Sequence, residues 1–317
     1  MMKFIGVEEH FSTPDYLAEF KSKDDDEFRV ADKVCDIGSL RAADMDEAGV
    51  AMQIVSLSTP GVEQLGRDDA IRVSAKVNEY AAGAIKEYPD RFRAFMALPT
   101  ASPQDAIETL RRTKGAPFVG VGINGRVGDK YLDAPEFLPL LKEIEALGLP
   151  IYLHPCRPPE AVIENYYAGP WPDKVTDNFS RAAFGWHIET AVHAFRLILG
   201  GVFDHCPNLK VLIGHLGEGA PFFFTRFQIL MPQELTKLNR PINDYLKENF
   251  YYTIGGFNFI EDFNCLAEQV SVDHILFSSD YPFGSLKAAV DFLNQLPLSD
   301  ADKQKIAHEN TEKLFRL

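Results

Sequence analysis

The chain has 317 residues, 46% hydrophobic and 25% charged, the balance of an ordinary folded protein with a large core. Its net charge of −14 argues against nucleic acid, whose phosphates call for a basic face, and against anionic membrane surfaces. It has no apolar run near the roughly 20 residues of a membrane span, no signal-peptide layout, and no paired motif among Cys35, Cys156, Cys206 and Cys265, so a cytoplasmic protein with reduced thiols is expected.

Taken in order, the first apolar segment is Lys3–Val7, which runs straight into Glu8-Glu9-His10. In a strand, side chains alternate, so Glu8 and His10 share one face and Glu9 takes the other. An inward carboxylate beside an inward imidazole needs a partner, and a divalent metal satisfies both at once. The plainer alternative is a polar strand end before a solvated loop. A long charged connection follows, from Phe11 to about Leu40, with the acidic run Asp24-Asp25-Asp26-Glu27 inside it.

The second segment is Met52–Leu57, followed by a helical period over Ala70–Glu87. The third is Phe92–Leu98 and the fourth Val119–Ile123, with a helical period over Ala134–Ala146. The fifth, Pro150–Leu153, ends in His154. After it comes a connection rich in Pro, Tyr and Trp, Cys156–Ser180, then a helical period over Ile188–Leu199. The sixth, Lys210–Ile213, leads into Gly214-His215. The seventh is Phe250–Ile254. The eighth, His274–Phe277, leads into Ser278-Ser279-Asp280.

Strands alternating with helices predict a parallel sheet. Eight such units predict an α/β fold, a closed (β/α)8 TIM barrel, as one domain over residues 1–317 with long loops after strands one and five. An open doubly wound sheet is the runner-up, but no glycine-rich phosphate turn follows the first strand. Both long loops belong on the C-terminal face, where barrels carry their active sites, as a lid or as an oligomer contact.

In a closed barrel, strands one and eight are neighbours, which sets Asp280 beside Glu8 and His10, while strand five brings His154 from the far wall. Two carboxylates and two imidazoles converging predict a mononuclear site for one divalent ion, Zn2+ or Mn2+. Each residue alone has a structural alternative: a satisfied core histidine for His154, a helix cap for His215, a turn residue for Asp280. All of them at strand ends together are harder to explain so. His187, His193, His205 and His308 read as structural, His187 being the first exception to look for because it follows the long loop.

These motifs resemble the decarboxylase branch of the amidohydrolase superfamily, which contains γ-resorcylate, o-pyrocatechuate and aminocarboxymuconate-semialdehyde decarboxylases. The resemblance rests on Val7-Glu8-Glu9-His10-Phe11, Ser58-Thr59-Pro60-Gly61-Val62, Tyr152-Leu153-His154-Pro155, Gly201-Val202-Phe203-Asp204, Ile213-Gly214-His215-Leu216-Gly217-Glu218 and Phe277-Ser278-Ser279-Asp280-Tyr281-Pro282-Phe283, and covers nearly the whole chain. E-x-H at strand one is closer to the γ-resorcylate enzymes than to hydrolases carrying H-x-H there.

The resemblance implies metal ligands at Glu8, His10, His154 and Asp280, an acid–base and substrate-contacting pair at His215 and Glu218, and a substrate-contacting arginine at Arg226, reaching the substrate across a subunit contact or within the chain. It implies a small aromatic carboxylate as substrate, a dimer or tetramer, and non-oxidative decarboxylation with Asp280 carrying the proton to the ring. The same residues would also serve hydrolysis by a metal-activated water. A barrel that only binds a ligand would need a damaged ligand set, and this one is intact. The Trp186-His187-Ile188 stretch is less regular than the rest and bears on substrate identity.

Overall fold

The computed structural model describes residues 2–20, 29–113 and 117–317, so the acidic run at 24–27 lies outside the described residues. All eight strands form: β1 (Ile5–Phe11), β2 (Met52–Leu57), β3 (Phe92–Ala97), β4 (Phe118–Asn124), β5 (Ile151–His154), β6 (Val211–Ile213), β7 (Phe250–Thr253) and β8 (Ile275–Leu276). They pair in sequence order and every pair is parallel. Backbone bonds between β1 and the segment around β8 close the circle. Val7 N–H donates to Phe277 O at 3.1 Å, Asp280 N–H to Glu8 O at 3.0 Å, and His10 N–H to Tyr281 O at 2.7 Å. The fold is a (β/α)8 TIM barrel.

The strand limits fall within a few residues of those expected, with one difference that matters. β1 does not stop at Val7. Glu9 pairs with Val55, His10 with Ser56 and Phe11 with Leu57, so the polar triplet is itself strand.

Two apolar layers hold the barrel. Val7, Ile54, Phe95, Tyr152, Leu212 and Leu276 fill its interior below the site residues on the same strands, and Phe315 from the helix Asn310–Phe315 closes the floor, edge-on to Phe95 at 5.7 Å. Truncating such a phenylalanine to alanine costs about 3–5 kcal/mol. The outer layer lies between strands and helices. In the helix Arg67–Glu87, Ala70, Val73, Val77, Ala81 and Ile85 form one buried stripe at helical spacing. Asn78 on that stripe grips the end of β3, donating to Ala97 O at 2.8 Å and accepting from Ala97 N–H at 2.9 Å.

The connection after β1 carries the helices Pro14–Phe20, Ala31–Val34 and Ser39–Ala48; that after β5 carries Asp173–Ser180 before the long helix Gly185–Leu199. A third long connection joins β6 to β7, and around its helix Phe224–Leu230 Phe222, Ile229 and Leu230 are exposed. None of the described helices is long and apolar enough to cross a membrane.

Candidate active site

The site is built where β1 departs from strict alternation. Gly6 pairs with Gln53 but Glu9 with Val55, so β1 has one residue more than β2 over this span. Such a bulge resets the phase of the strand. Val7 packs inside the barrel, and simple alternation would send Glu8 outward. With the bulge Glu8 also points in, Glu9 points out, and His10 points in.

Glu8 is fully buried. Tyr152 donates its hydroxyl to Oε1 at 2.7 Å, and the Thr253 hydroxyl donates to Oε2. Two glycines make room for this carboxylate: a Cβ on Gly214 would lie 2.0 Å from Oε1, and one on Gly255 2.7 Å from Oε2. Burial raises its pKa.

Glu9 works from the outer face. It accepts from Ser279 N–H at 2.9 Å, Ser279 Oγ–H at 2.7 Å and Tyr281 N–H at 3.0 Å, fastening the turn that presents Asp280. Burial pushes its pKa up to about 8 even so. Arg41, also fully buried, donates to His10 O at 2.6 Å and lies over the Tyr281 ring at 4.7 Å. Strands β1 and β8 are thus tied together from behind.

His10 and His154 rings meet edge to face with centroids 4.6 Å apart. His154 Nδ1 lies 3.1 Å from Asn124 Oδ1, which fixes the N–H there and turns Nε2 into the cavity as a lone-pair donor. Burial, with His10 and His215 nearby, holds the His154 pKa well below its ordinary value, so the ring is neutral as a ligand must be. His10 Nδ1 sits 3.3 Å from Ser56 Oγ; its Nε2 is buried without a hydrogen-bond partner, with Asp280 Oδ1 3.0 Å away. Candidate ligand atoms of Glu8, His10 and His154 all lie within 4.8 Å of one another. An orphaned imidazole nitrogen among a neutral imidazole and two carboxylates fits a divalent cation of the Zn2+ or Mn2+ type.

β6 ends in an unusual backbone. His215, Leu216, Gly217 and Glu218 all have positive φ, at 48°, 55°, 89° and 57°. Strain of this kind, on the order of 1–3 kcal/mol per non-glycine residue, persists where a site requires it. It folds Glu218 back so that Oε1 accepts from His215 Nδ1 at 2.8 Å, leaving His215 Nε2 4.0 Å from Asp280 Oδ2. Burial alone would lower the His215 pKa, but the Glu8 and Glu218 carboxylates raise it to about 10. Burial alone would raise Glu218, but His215 and His187 bring it down to about 2.

The structure therefore brings His10, His154, His215 and Asp280 to the lining of one cavity of about 120 Å3, whose wall is completed by Arg181, Trp186 and Phe283, with Glu8 and Glu218 buried behind His215. It does not bring Arg226 there: that side chain is exposed on the helix Phe224–Leu230, outside the cavity lining. Arg181, 3.5 Å from Asp177, is the arginine at the cavity. His193, expected to be structural, accepts from Leu132 N–H at 3.0 Å. His187 is the exception: its Nδ1 bonds Glu218 Oε2. His187, His215 and Glu218 also lie close enough to hold an ion, but both Nδ1 atoms already serve Glu218, and the three form a hydrogen-bonded row. The rule that picks polar residues at strand ends also picks Asn124 on β4 and Thr253 on β7. No comparable signal marks Arg181, and Trp186 is marked only by the irregularity of the Trp186-His187-Ile188 stretch.

A family model described as amidohydrolase matches residues 10–317. The chain is 33% identical to γ-resorcylate decarboxylase of Rhizobium sp. (strain MTP-10005), the match covering 99% of this chain and 98% of that one. It superposes with TM-score 0.88 on a crystal structure of 2,6-dihydroxybenzoate decarboxylase complexed with 2,6-dihydroxybenzoate, at 32% identity and full coverage of both chains. It superposes with TM-score 0.90 on dihydroxybenzoic acid decarboxylase from Polaromonas sp. JS666 with bound manganese and the inhibitor 2-nitroresorcinol, at 32% identity, covering 100% of this chain and 98% of that one.

Proposed function

The chain belongs to the amidohydrolase family, and from that premise we propose that it is a carboxy-lyase: a metal-dependent, non-oxidative decarboxylase of a hydroxybenzoate of the γ-resorcylate kind. The observation that carries this reading is the convergence of an oxygen- and nitrogen-donor set with the His215–Glu218 pair on a cavity of about 120 Å3, well below the roughly 300 Å3 at which drug-sized sites begin. One aromatic ring fills such a space. Relatives named for dihydroxybenzoates give that ring its chemistry.

Glu8, His10, His154 and Asp280 would hold one divalent ion, Mn2+ or Zn2+, and that ion would orient the acid's oxygens and offset their charge. Asp280 delivers a proton to the ring carbon bearing the carboxylate. The carbon–carbon bond then breaks, its electron pair returns to the ring, and CO2 leaves. A hydroxyl ortho to the carboxylate stabilises the cationic ring in between. His215 Nε2, 4.0 Å from Asp280 Oδ2, is placed to return a proton to Asp280, and Glu218 holds His215 in that orientation. Arg181 supplies a cation at the cavity wall for the incoming anion.

We read residues 1–317 as one catalytic domain in the cytoplasm, in keeping with four unpaired cysteines. We also propose a homodimer or homotetramer in which Arg226, on the exposed apolar connection, reaches the cavity of a neighbouring copy.

The test is a panel of hydroxybenzoates, 2,6-dihydroxybenzoate among them, assayed for CO2 with metal-loaded and chelator-treated protein. CO2 from an ortho-hydroxybenzoate, lost on chelation and restored by Mn2+ or Zn2+, is expected. Absence of CO2 across the panel, or hydrolysis of a lactone or amide in its place, overturns the reading.

A further inference from the structure

His187 is buried and touches both the proton-handling pair and the cavity wall. Its Nδ1 bonds Glu218 Oε2, while Glu218 Oε1 accepts from His215 Nδ1 at 2.8 Å. Its Nε2 accepts from the Trp186 indole N–H at 3.1 Å and also lies 3.0 Å from Ala182 O. An indole can only donate and a carbonyl can only accept. Nε2 therefore serves one of these two contacts at a time, and where it accepts from Trp186 the ring carries its proton on Nδ1, which also serves Glu218. A row of hydrogen bonds runs from His215 through Glu218 and His187 to Trp186, and Trp186 lines the cavity with its ring 6.4 Å from that of His154.

We propose that His187 is a positioning residue that locks the His215–Glu218 pair and the Trp186 side chain into one arrangement, and that it thereby sets specificity. Three consequences follow from the contacts. Glu218 has both oxygens engaged, so His215 keeps Nε2 toward Asp280 rather than rotating away. Trp186 has its only polar atom engaged, so what it offers the cavity is ring carbon. The substrate edge that meets Trp186 is then apolar, because a hydroxyl or carboxylate there would be buried without a partner. Within the decarboxylase reading, on which this inference rests, the acid accepted is one whose polar substituents gather on the side of His10, His154 and Asp280.

The test uses a double-mutant cycle and a spectroscopic arm. Asparagine at this position keeps a donor near Nδ1 for Glu218 but cannot reach the indole; phenylalanine for tryptophan keeps the ring and removes the N–H. His187→Asn and Trp186→Phe are each expected to lower kcat/KM about threefold to tenfold, the range of one buried hydrogen bond, through KM and through loss of preference among hydroxybenzoates. The double variant should be no worse than either single variant, because both break the same bond. His187→Ala should in addition lower kcat, and His187→Asn should restore it.

In a Trp171→Phe background Trp186 is the sole tryptophan, and His187→Ala or His187→Asn should shift its emission whether or not CO2 is produced. Melting temperature and metal content for every variant separate misfolding from loss of the contact. Additive effects in the cycle overturn the proposal. So does a His187→Ala protein with unchanged emission, or one that is merely less stable with no split between kcat and KM. Absence of CO2 release in the wild type overturns the decarboxylase reading and leaves the emission arm to decide this one.

Discussion

The cavity has two walls of different origin. His10 and His154 stand on barrel strands, with Glu8 behind them and Asp280 in the turn just after β8, while Arg181 and Trp186 arrive on the connection between β5 and β6 and the start of the helix after it, with His187 behind Trp186. The first wall is held by the parallel ladder, where a slip of one residue would turn every side chain to the other face. The second is held by a few hydrogen bonds and by the path of one connection. A ladder conserves chemistry and a connection can vary it, so we propose that the strand wall carries the reaction and the connection wall chooses the substrate.

The same division explains what could be read from the chain alone. The barrel was legible because each strand is a short apolar run followed by a helical period, and the candidate ligands could be picked out because a polar residue at the end of a buried strand is anomalous. The bulge that turns Glu8 inward was not, since it exists only through the pairing of Gly6 with Gln53 and Glu9 with Val55. Arg181 was not legible either, and Trp186 showed only as part of an irregular stretch, without its place on the cavity wall. No period fixes the direction of a side chain on a connection, and the helix carrying His187 shows only that one of its faces is buried. The four left-handed residues from His215 to Glu218 left no signal beyond the glycine at 217.

The largest effect is expected on the strand wall. Asp280→Asn keeps an oxygen donor of the same shape and removes the acidic proton. At metal content matched to wild type, kcat should fall ~10²–10⁴-fold with substrate still bound. A metal-loaded variant keeping more than about a tenth of wild-type kcat would move proton delivery to another group and erase the division of labour between the two walls.

A smaller effect is expected one contact behind that wall. Asn124→Ala leaves His154 Nδ1 without its acceptor, so the ring is free to turn. Loss of such a support typically costs about 10–100-fold in metal affinity or activity. Metal titration of the variant reads this directly. Unchanged affinity would mean that strand packing alone orients His154, and that the ladder needs no help from side chains.

The smallest effect is expected on the connection wall, where two arginines compete for one role. The family motif points to Arg226, eight residues beyond Glu218, yet in this chain it is exposed and away from the cavity, while Arg181 lines it. A guanidinium at the wall interacts with an anionic substrate before and after the proton moves, so its removal should act on binding more than on turnover. Arg181→Ala is therefore expected to raise KM about tenfold, the worth of one charged hydrogen bond, with kcat within about twofold. Arg226→Ala separates the alternatives. If Arg226 serves a neighbouring copy, its variant should raise KM only under conditions where the assembly persists, and dilution to monomer should raise the wild-type KM to match. An Arg226→Ala effect on KM at every concentration, with none for Arg181→Ala, would show that the connection between β6 and β7 moves to close the cavity in solution. Specificity would then lie in that segment rather than in the one carrying Trp186.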